Sequence, residues 1–456
     1  MEFKQNHPSP SPKLKPRLII HGGAGNVRRD TFTPEKYELY RTTLLSIVTK
    51  TAAYMDSITS DGKLRHRPSA LEMATHAVVQ LEDSPLFNSG HGAVFTRDGI
   101  NELEASVMVS RGRAKRGVGV MGLRRVRNPI LLARRMLEEG DRDLAPKMAS
   151  SSDFSTTGES DLDVPSAQGH TQIYGETAEQ LARQYGLDLV DTSYFFTQQR
   201  WDEHIRALER EKLGKGGATW SMDEYLSQGT CGAVAMDEDG VVCAATSTGG
   251  LTNKLTGRVG DTPVPGAGFW AEEWEEEGPA SSLWDMSKAA FTSYGSPLFS
   301  LSDSLRGLVA DCLPTPFLYS PVSSGFPSTG TISTRSMGVS GTGNGDSFLR
   351  TNAARTVAAM ARFKPESTAK ALANVAGTGG ELQRSAGSRF GKTGEGEGGM
   401  IAIESIVSRD SQGRIVDASA EVLMDFNCAG MVRAWIDDDG KPVMSIWSTG
   451  AEDGFH

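Results

Sequence analysis

Residues 231–248, CGAVAMDEDGVVCAATST, constrain this chain more than any other stretch. Two runs of small and β-branched residues, 232–236 and 241–246, flank DEDG, and Asp239-Gly240 near the turn predicts a β-hairpin. The preceding stretch, LGKGGATWSMDEYLSQG (213–229), is rich in glycine and reads as an exposed, flexible linker between two halves of the chain. Thr230 stands where linker gives way to strand.

Strand-like and helix-like segments alternate elsewhere, which favours a layered architecture. A short apolar run, 17–20, feeds HGGAGN, read as a glycine turn, and residues 35–57 carry helical spacing through Leu39, Leu44, Leu45, Ile47, Val48, Ala52 and Ala53. Ser69 and Glu72 form a capping box after Pro68, ahead of a face made of Leu71, Ala74, Ala77, Val78 and Leu81. SPLFNSGHGAVF (84–95) is a glycine-studded loop, 118–126 a strand, and NPILLARRMLEEGD, GETAEQLARQYGL and WDEHIRALEREK are helices. Farther on, TISTRSMGVSGTGNGD reads as a strand and turn before a helix, MIAIESIVS and RIVDASAEVLM as paired strands, and DDDGKP as the turn of a closing hairpin. Residues 1–16 read as a disordered arm, and 149–163 and 271 to about 330 as surface insertions.

The formal charge of −10 argues against a polyanion partner, and the basic stretch 111–127 reads as a solvated face. No run approaches the ~20 apolar residues of a membrane span, and the start lacks a leader's apolar core. Four cysteines without CxxC spacing read as reduced thiols, so a cytoplasmic location is expected. GxSxG, GxxxxGK[ST] and HExxH are all missing from the sequence.

Threonine is a weak nucleophile, but at a chain terminus its own α-amine, with a pKa near ~8, is a base tethered beside its Oγ. Such a catalyst must be exposed by cleavage of the preceding peptide bond. Gly-Thr pairs occur at 229–230, 330–331, 341–342 and 377–378, so the pair alone selects nothing. Thr230 is set apart by the linker in front, the small-residue strand behind and the TSTGG cluster with Thr246 and Thr248. In GRVGD, Arg258 and Asp261 suit a zwitterion, since guanidinium binds a carboxylate and carboxylate binds an ammonium. SGTGNGD (340–346) offers a hydroxyl and consecutive backbone N–H groups ahead of a helix, suited to an oxyanion.

With IIHGGAG, LEDSPLFNSGHGAVF, NELEASVM, NPILLAR, GTCGAVAMDEDGVVCAATSTGGLTNKLTGRVGDTPVPGAGFWA, GTGNGD and MDFNCAGMVRAW, the chain resembles the plant-type L-asparaginases, or isoaspartyl peptidases, among the N-terminal-nucleophile hydrolases. The resemblance implies an α+β fold, a four-layer αββα sandwich in one domain with insertions. It implies a cut between Gly229 and Thr230, giving an α part (17–229, linker about 213–229) and a β part (230–456). Thr230 would be nucleophile and, through its amine, base; Thr248 would hydrogen-bond and tune it. Thr342 and Gly343 would form the oxyanion hole, Arg258 would bind the substrate carboxylate and Asp261 its amine, with Gly345 nearby. The implied activity is metal-free release of aspartate from L-asparagine or β-aspartyl dipeptides, by a homodimer of cleaved protomers with no cofactor other than a structural sodium ion at loop 81–91. Gln228 stands where a histidine commonly precedes the glycine, and Asn344 where threonine is usual. Two alternatives stand beside this reading: a threonine aspartase-like protease acting on proteins, and an uncleaved, inactive homologue serving as a binding or scaffold protein.

Overall fold

The computed structural model describes residues 14–57, 67–111, 114–145, 166–221, 229–276, 331–364 and 366–447, and the backbone of 59–60 and 65–66. In chain order the first strands are β1 (Arg17–Gly25), β2 (Thr59–Ser60), β3 (Arg65–His66), β4 (Leu103–Val109), β5 (Gly117–Leu123), β6 (Gln172–Tyr174) and β7 (Cys231–Met236). They are followed by β8 (Val242–Thr248), β9 (Phe269–Glu276), β10 (Ile332–Gly343), β11 (Gly398–Arg409), β12 (Ile415–Phe426), β13 (Gly430–Ile436) and β14 (Pro442–Ser445). The helices are α1 (Pro34–Met55), α2 (Ala70–Glu82), α3 (Pro129–Asp143), α4 (Gly175–Gln184), α5 (Gln198–Lys212), α6 (Gly345–Thr351), α7 (Ala353–Phe363), α8 (Thr368–Ala376) and α9 (Glu381–Ala386). The fold is α+β. One sheet has eight strands in the order β14-β13-β1-β7-β8-β4-β5-β6, a second has four, β12-β11-β10-β9, and β2 and β3 pair separately. The ladders are antiparallel except β5 with β6.

The period-2 alternation of side chains explains why the central hairpin is built of small residues. Cys231, Ala233 and Ala235 of β7, with Cys243 and Ala245 of β8, join Ala74, Ala77, Val78 and Leu81 of α2 in one apolar cluster. The alternate residues, Val234, Met236, Val242 and Ala244, meet Ile401, Ile403 and Val407 of β11 in another cluster, between the two sheets. On the far face of the smaller sheet, Met337, Val339, Met400 and Ala402 pack on Val357, Ala358, Leu372 and Val375 of α7 and α8. The hairpin is therefore covered on both faces, and every residue of β7 and β8 is buried.

Helix starts follow their local signals. Thr33 Oγ1 accepts from Lys36 N–H ahead of Pro34, and Ser69 and Glu72 close both arms of the capping box. Of the expected α1 face, Leu44, Ile47 and Val48 are buried while Leu39 is exposed; Tyr40, one position on, takes the inward place.

Four readings are corrected. HGGAG is not a turn: it continues β1 as far as Gly25, paired with β13 through a register shift between His21 and Gly23. The arm ends before Leu14, which is buried in the inter-sheet cluster; residues 1–13 lie outside the described ones. Residues 271–276 are no insertion, because β9 runs to Glu276 and pairs with β10. The linker is exposed from Leu213 to Gly217, as expected, but packs over 218–221, where Ala218 is buried and Ser221 O accepts from Asn26 Nδ2. Residues 149–163, 222–228 and 277–330 lie outside the described residues.

The basic stretch is matched by carboxylates: Arg111 and Arg116 pair with Asp141, Lys115 with Glu272, Arg124 with Glu102 and Arg127 with Asp83. Cys231, Cys243 and Cys428 are free thiols, and no described helix is long and apolar enough to cross a membrane. The inter-sheet cluster sets the first prediction. Ile401→Ala removes a fully buried side chain at its centre and is expected to lower the unfolding free energy by about 2–5 kcal/mol in a urea titration. A loss below ~0.5 kcal/mol, the range of neutral surface changes, would mean that this cluster does not hold the sheets together.

Candidate active site

Thr230 is buried at the entrance to β7. One step beyond the last ladder pair, Cys231↔Ser247, it comes opposite Thr248. The Thr248 hydroxyl accepts from Gly250 N–H at 2.9 Å rather than bonding Thr230. Thr230 N–H instead donates to Thr342 Oγ1 at 2.9 Å, and Ala24 N–H donates to the same oxygen at 3.1 Å. A hydroxyl oxygen has two lone pairs. Both are occupied here, so the hydroxyl proton is what Thr342 has left to donate.

The backbone before Thr230 lies flat on the glycine face of β1: a Cβ on Gly229 would collide with Gly23 Cα and Ala24 N. That is why glycine is required there. Gly343, beside Thr342, is similarly confined, since a Cβ would strike Glu397 O and Gly398 Cα.

Arg258, Asp261 and Gly345 converge. A Cβ on Gly345 would lie 2.5 Å from Asp261 Oδ1 and 3.1 Å from Arg258 Nη2. Arg258 Nη2 also pairs with Asp346 Oδ1 at 3.1 Å, a partner that residue spacing does not reveal. Asp261 is buried, and its Oδ2 has no hydrogen-bond partner. Burial pushes its carboxyl up to about 7, a rise that the Arg258 charge moderates.

The loop carrying Arg258 and Asp261 is fastened from below by residues that sequence reasoning missed. Gly257 N–H donates to Glu102 Oε2 at 2.7 Å, Gly260 N–H to Glu104 Oε1 at 3.0 Å, and Lys254 Nζ to Glu102 O at 2.9 Å. The side chains of Glu102, Glu104 and Lys254 are all buried; the one signal for them was the pair of glutamates in an otherwise apolar strand, NELEASVM. Asn344, the departure in GTGNGD, has a structural use as the cap of α6, its Oδ1 accepting from Ser347 N–H at 3.1 Å and Ser347 Oγ at 2.8 Å. His21 was also missed: its Nδ1 lies 2.9 Å from Thr230 O. The glycines that follow it in HGGAG dominate that motif and hide the histidine.

Loop 81–91 is an oxygen-rich turn. The carbonyls of Pro85 and Phe87 converge where a Cβ on Gly92 would sit, while Arg200 takes the carbonyls of Leu86 and Gly92, both at 2.9 Å. Glu82 Oε1 accepts from Ile130 N–H at 3.0 Å and Ser247 Oγ at 2.7 Å, which ties this loop to the strand beside Thr230.

The family model for asparaginase matches residues 14–159 and 163–276. The chain belongs to the asparaginase family. An asparaginase-family relationship also appears in single proteins: an isoaspartyl peptidase of Escherichia coli is 37% identical over 254 residues, 56% of this chain and 67% of its own length. One of Salmonella typhimurium is 30% identical over 430 residues, 94% of this chain and 98% of its own. A plant-type L-asparaginase of Pyrococcus abyssi is 33% identical over 264 residues, 56% of this chain and 70% of its own.

For this asparaginase-family chain, Glu82 supplies a stability prediction. Burial pushes its carboxyl up to about 8, against the bonds from Ser247 and Ile130. The unfolded chain releases that proton near pH ~4.3, so the native state holds it longer and stability falls as pH rises from there to about 8. Glu82→Gln stays neutral and keeps an acceptor for both donors. Its melting temperature relative to the unsubstituted chain is expected to improve between pH ~5 and ~9; a constant difference across that range would contradict a protonated native carboxyl.

Proposed function

We infer that this chain is an amidohydrolase that cuts itself between Gly229 and Thr230 and then uses Thr230 to release aspartate from L-asparagine or β-aspartyl dipeptides. The observation that carries this reading is the buried Asp261, whose Oδ2 lacks a partner and whose Oδ1 meets Arg258 Nη2 at the same point over Gly345. A buried carboxylate oxygen left unpaired calls for a cation, and a free α-ammonium next to an α-carboxylate fits the pair. An internal aspartate of a protein has no such ammonium, which disfavours the protease alternative. The names of the relatives, isoaspartyl peptidase and plant-type L-asparaginase, point to the same substrates.

In the proposed sequence, Thr230 Oγ first attacks the Gly229 carbonyl and the acyl group passes from nitrogen to oxygen, which frees the Thr230 amine; water then hydrolyses the ester, releasing the Gly229 carboxylate and restoring the Thr230 hydroxyl. The amine then accepts the Oγ proton as Oγ attacks the substrate's side-chain amide. The Thr342 hydroxyl proton and Gly343 N–H hold the oxyanion. The Thr230 amine passes the proton it took from Oγ to the leaving nitrogen, ammonia or an amino acid departs, and water hydrolyses the acyl ester, releasing aspartate and restoring the hydroxyl. The two-sheet arrangement is assigned to the four-layer αββα sandwich of N-terminal-nucleophile hydrolases, assembled as a homodimer of cleaved protomers. A structural sodium ion is assigned to the carbonyls of loop 81–91, with no part in the chemistry.

Cleavage is tested on a denaturing gel. The full chain is expected to yield two fragments, the smaller beginning Thr-Cys-Gly by terminal sequencing, and Thr230→Ala is expected to stay whole and inactive. Persistence of one full-length band in the unsubstituted protein overturns the reading. Asp261 adds a pH signature: protonated, it offers an ammonium no charge. Inhibition by L-aspartate is therefore expected to tighten as pH rises through about 7, measured as Ki from pH ~5.5 to ~7.5, above the carboxylate range and below the ~8 of α-amines. A flat profile would remove Asp261 from substrate binding.

A further inference from the structure

His21 belongs to β1, between Gly232 of β7 and Arg433 of β13, and its imidazole is fully buried. Nδ1 lies 2.9 Å from Thr230 O, and Nε2 lies 2.7 Å from Ser340 Oγ. Ser340 Oγ in turn lies 3.0 Å from Thr246 Oγ1. A carbonyl oxygen only accepts, so Nδ1 carries the proton and Nε2 must accept from the Ser340 hydroxyl. Ser340 then accepts from Thr246, and the row acquires one direction: Thr246 to Ser340 to His21 to Thr230. Burial, only partly offset by the bond to Thr230, pushes the imidazole down to about 3, so the neutral form that this bookkeeping requires is the form present.

The row crosses between sheets. His21 and Thr246 lie on the larger one and Ser340 on the smaller. Space for the crossing depends on Gly232, where a Cβ would collide with Ser340 Oγ and lie 2.6 Å from His21 Nε2. Ser340 and Thr342 are two apart on β10 and so share a face. The same strand thus holds the N–H of Thr230 through Thr342 and its C=O through Ser340 and His21.

We propose that His21 is a positioning residue: with its tautomer set by the Thr230 carbonyl and its ring braced by Ser340, it clamps that carbonyl and so orients the Oγ and amine of the mature nucleophile. The proposal rests on the reading of Thr230 as nucleophile. Its force comes after cleavage. While Gly229 is attached, Thr230 is restrained by peptide bonds on both sides; once the bond is cut, the amine end is free and the carbonyl clamp resists rotation.

Two substitutions separate the two bonds of the ring. In His21→Asn the amide nitrogen occupies the place of Nδ1 and retains the bond to Thr230; in His21→Gln the amide oxygen occupies the place of Nε2 and retains only Ser340. With the full-length chain and a β-aspartyl dipeptide, both variants are expected to cut themselves. His21→Asn should keep kcat within about fivefold. His21→Gln should lose about 10- to 100-fold in kcat with KM unchanged. Ser340→Ala, which removes the brace on Nε2 but keeps the acceptor at Nδ1, should lose about fivefold in kcat while the ¹⁵N resonances of His21 keep the Nδ1-protonated pattern. Equal losses in the Asn and Gln variants, a loss confined to KM, or an Nε2-protonated imidazole in the unsubstituted protein overturns the proposal. Turnover retained by Thr230→Ala overturns the nucleophile reading and this proposal with it, whereas failure at His21 with an inactive Thr230→Ala overturns the proposal alone.

Discussion

One hydroxyl joins the two sheets beside Thr230. Thr342 Oγ1, on β10, accepts from the backbone of β1 at Ala24 and from Thr230 at the mouth of β7. Each bond on its own is worth about 1 kcal/mol, a small part of the stability of the fold. Its importance is geometric. It requires the sheets to approach within the reach of a three-atom side chain, and the residues around it are small in consequence. Gly229 against Gly23 and Gly338 against Val234 and Val242 are places where a larger residue would force the layers apart.

The second requirement is electrostatic. Glu102, Glu104, Lys254 and Asp261 are buried close to Arg258, and buried charges contribute little net stability because desolvation offsets their attraction. What the arrangement gives is position. Backbone N–H groups at Gly257 and Gly260 are fixed to carboxylates rooted in β4 and the residues just before it. The loop therefore moves with the sheet, and Arg258 and Asp261 keep their spacing. Burial depresses the Lys254 ammonium, with Glu104 opposing that fall, as expected for a cation held for its geometry rather than its solvation.

Much of this was legible in the sequence because it depends on short-range rules. The capping box at Ser69, the Asp-Gly turn of the central hairpin and the pairing of β11 with β12 are local patterns, and all are present. Arg258 and Asp261 were picked out by residue type and spacing and Thr342 and Gly345 by the family resemblance, and the fold brings them to the same end of the sheets as Thr230. The failures arise from long-range contacts. HGGAG looked like a turn because glycine breaks strands in isolation; here the missing side chains admit residue 229, which lies over two hundred positions away in sequence. His21 and Ser340 could not be connected without the crossing of two sheets, and α1 turned Tyr40 rather than Leu39 inward for reasons set by the neighbouring Phe32 and Phe87 rings.

The end of β9 has a consequence for how such a chain can change over time. Glu276 pairs with Ser333, so the chain leaves and re-enters the smaller sheet at hydrogen-bonded neighbours. The asparaginase match also stops at residue 276. Ends already held together by a ladder make added length cheap, since each doubling of a flexible loop costs only about 0.6 kcal/mol in closure entropy. Moreover, Ser333 and Thr342 stand at opposite ends of β10, about 30 Å apart at the rise of a strand. A change of length between the two strands therefore enters at the end of β10 remote from Thr342 and leaves the register that sets Thr342 against Thr230 untouched.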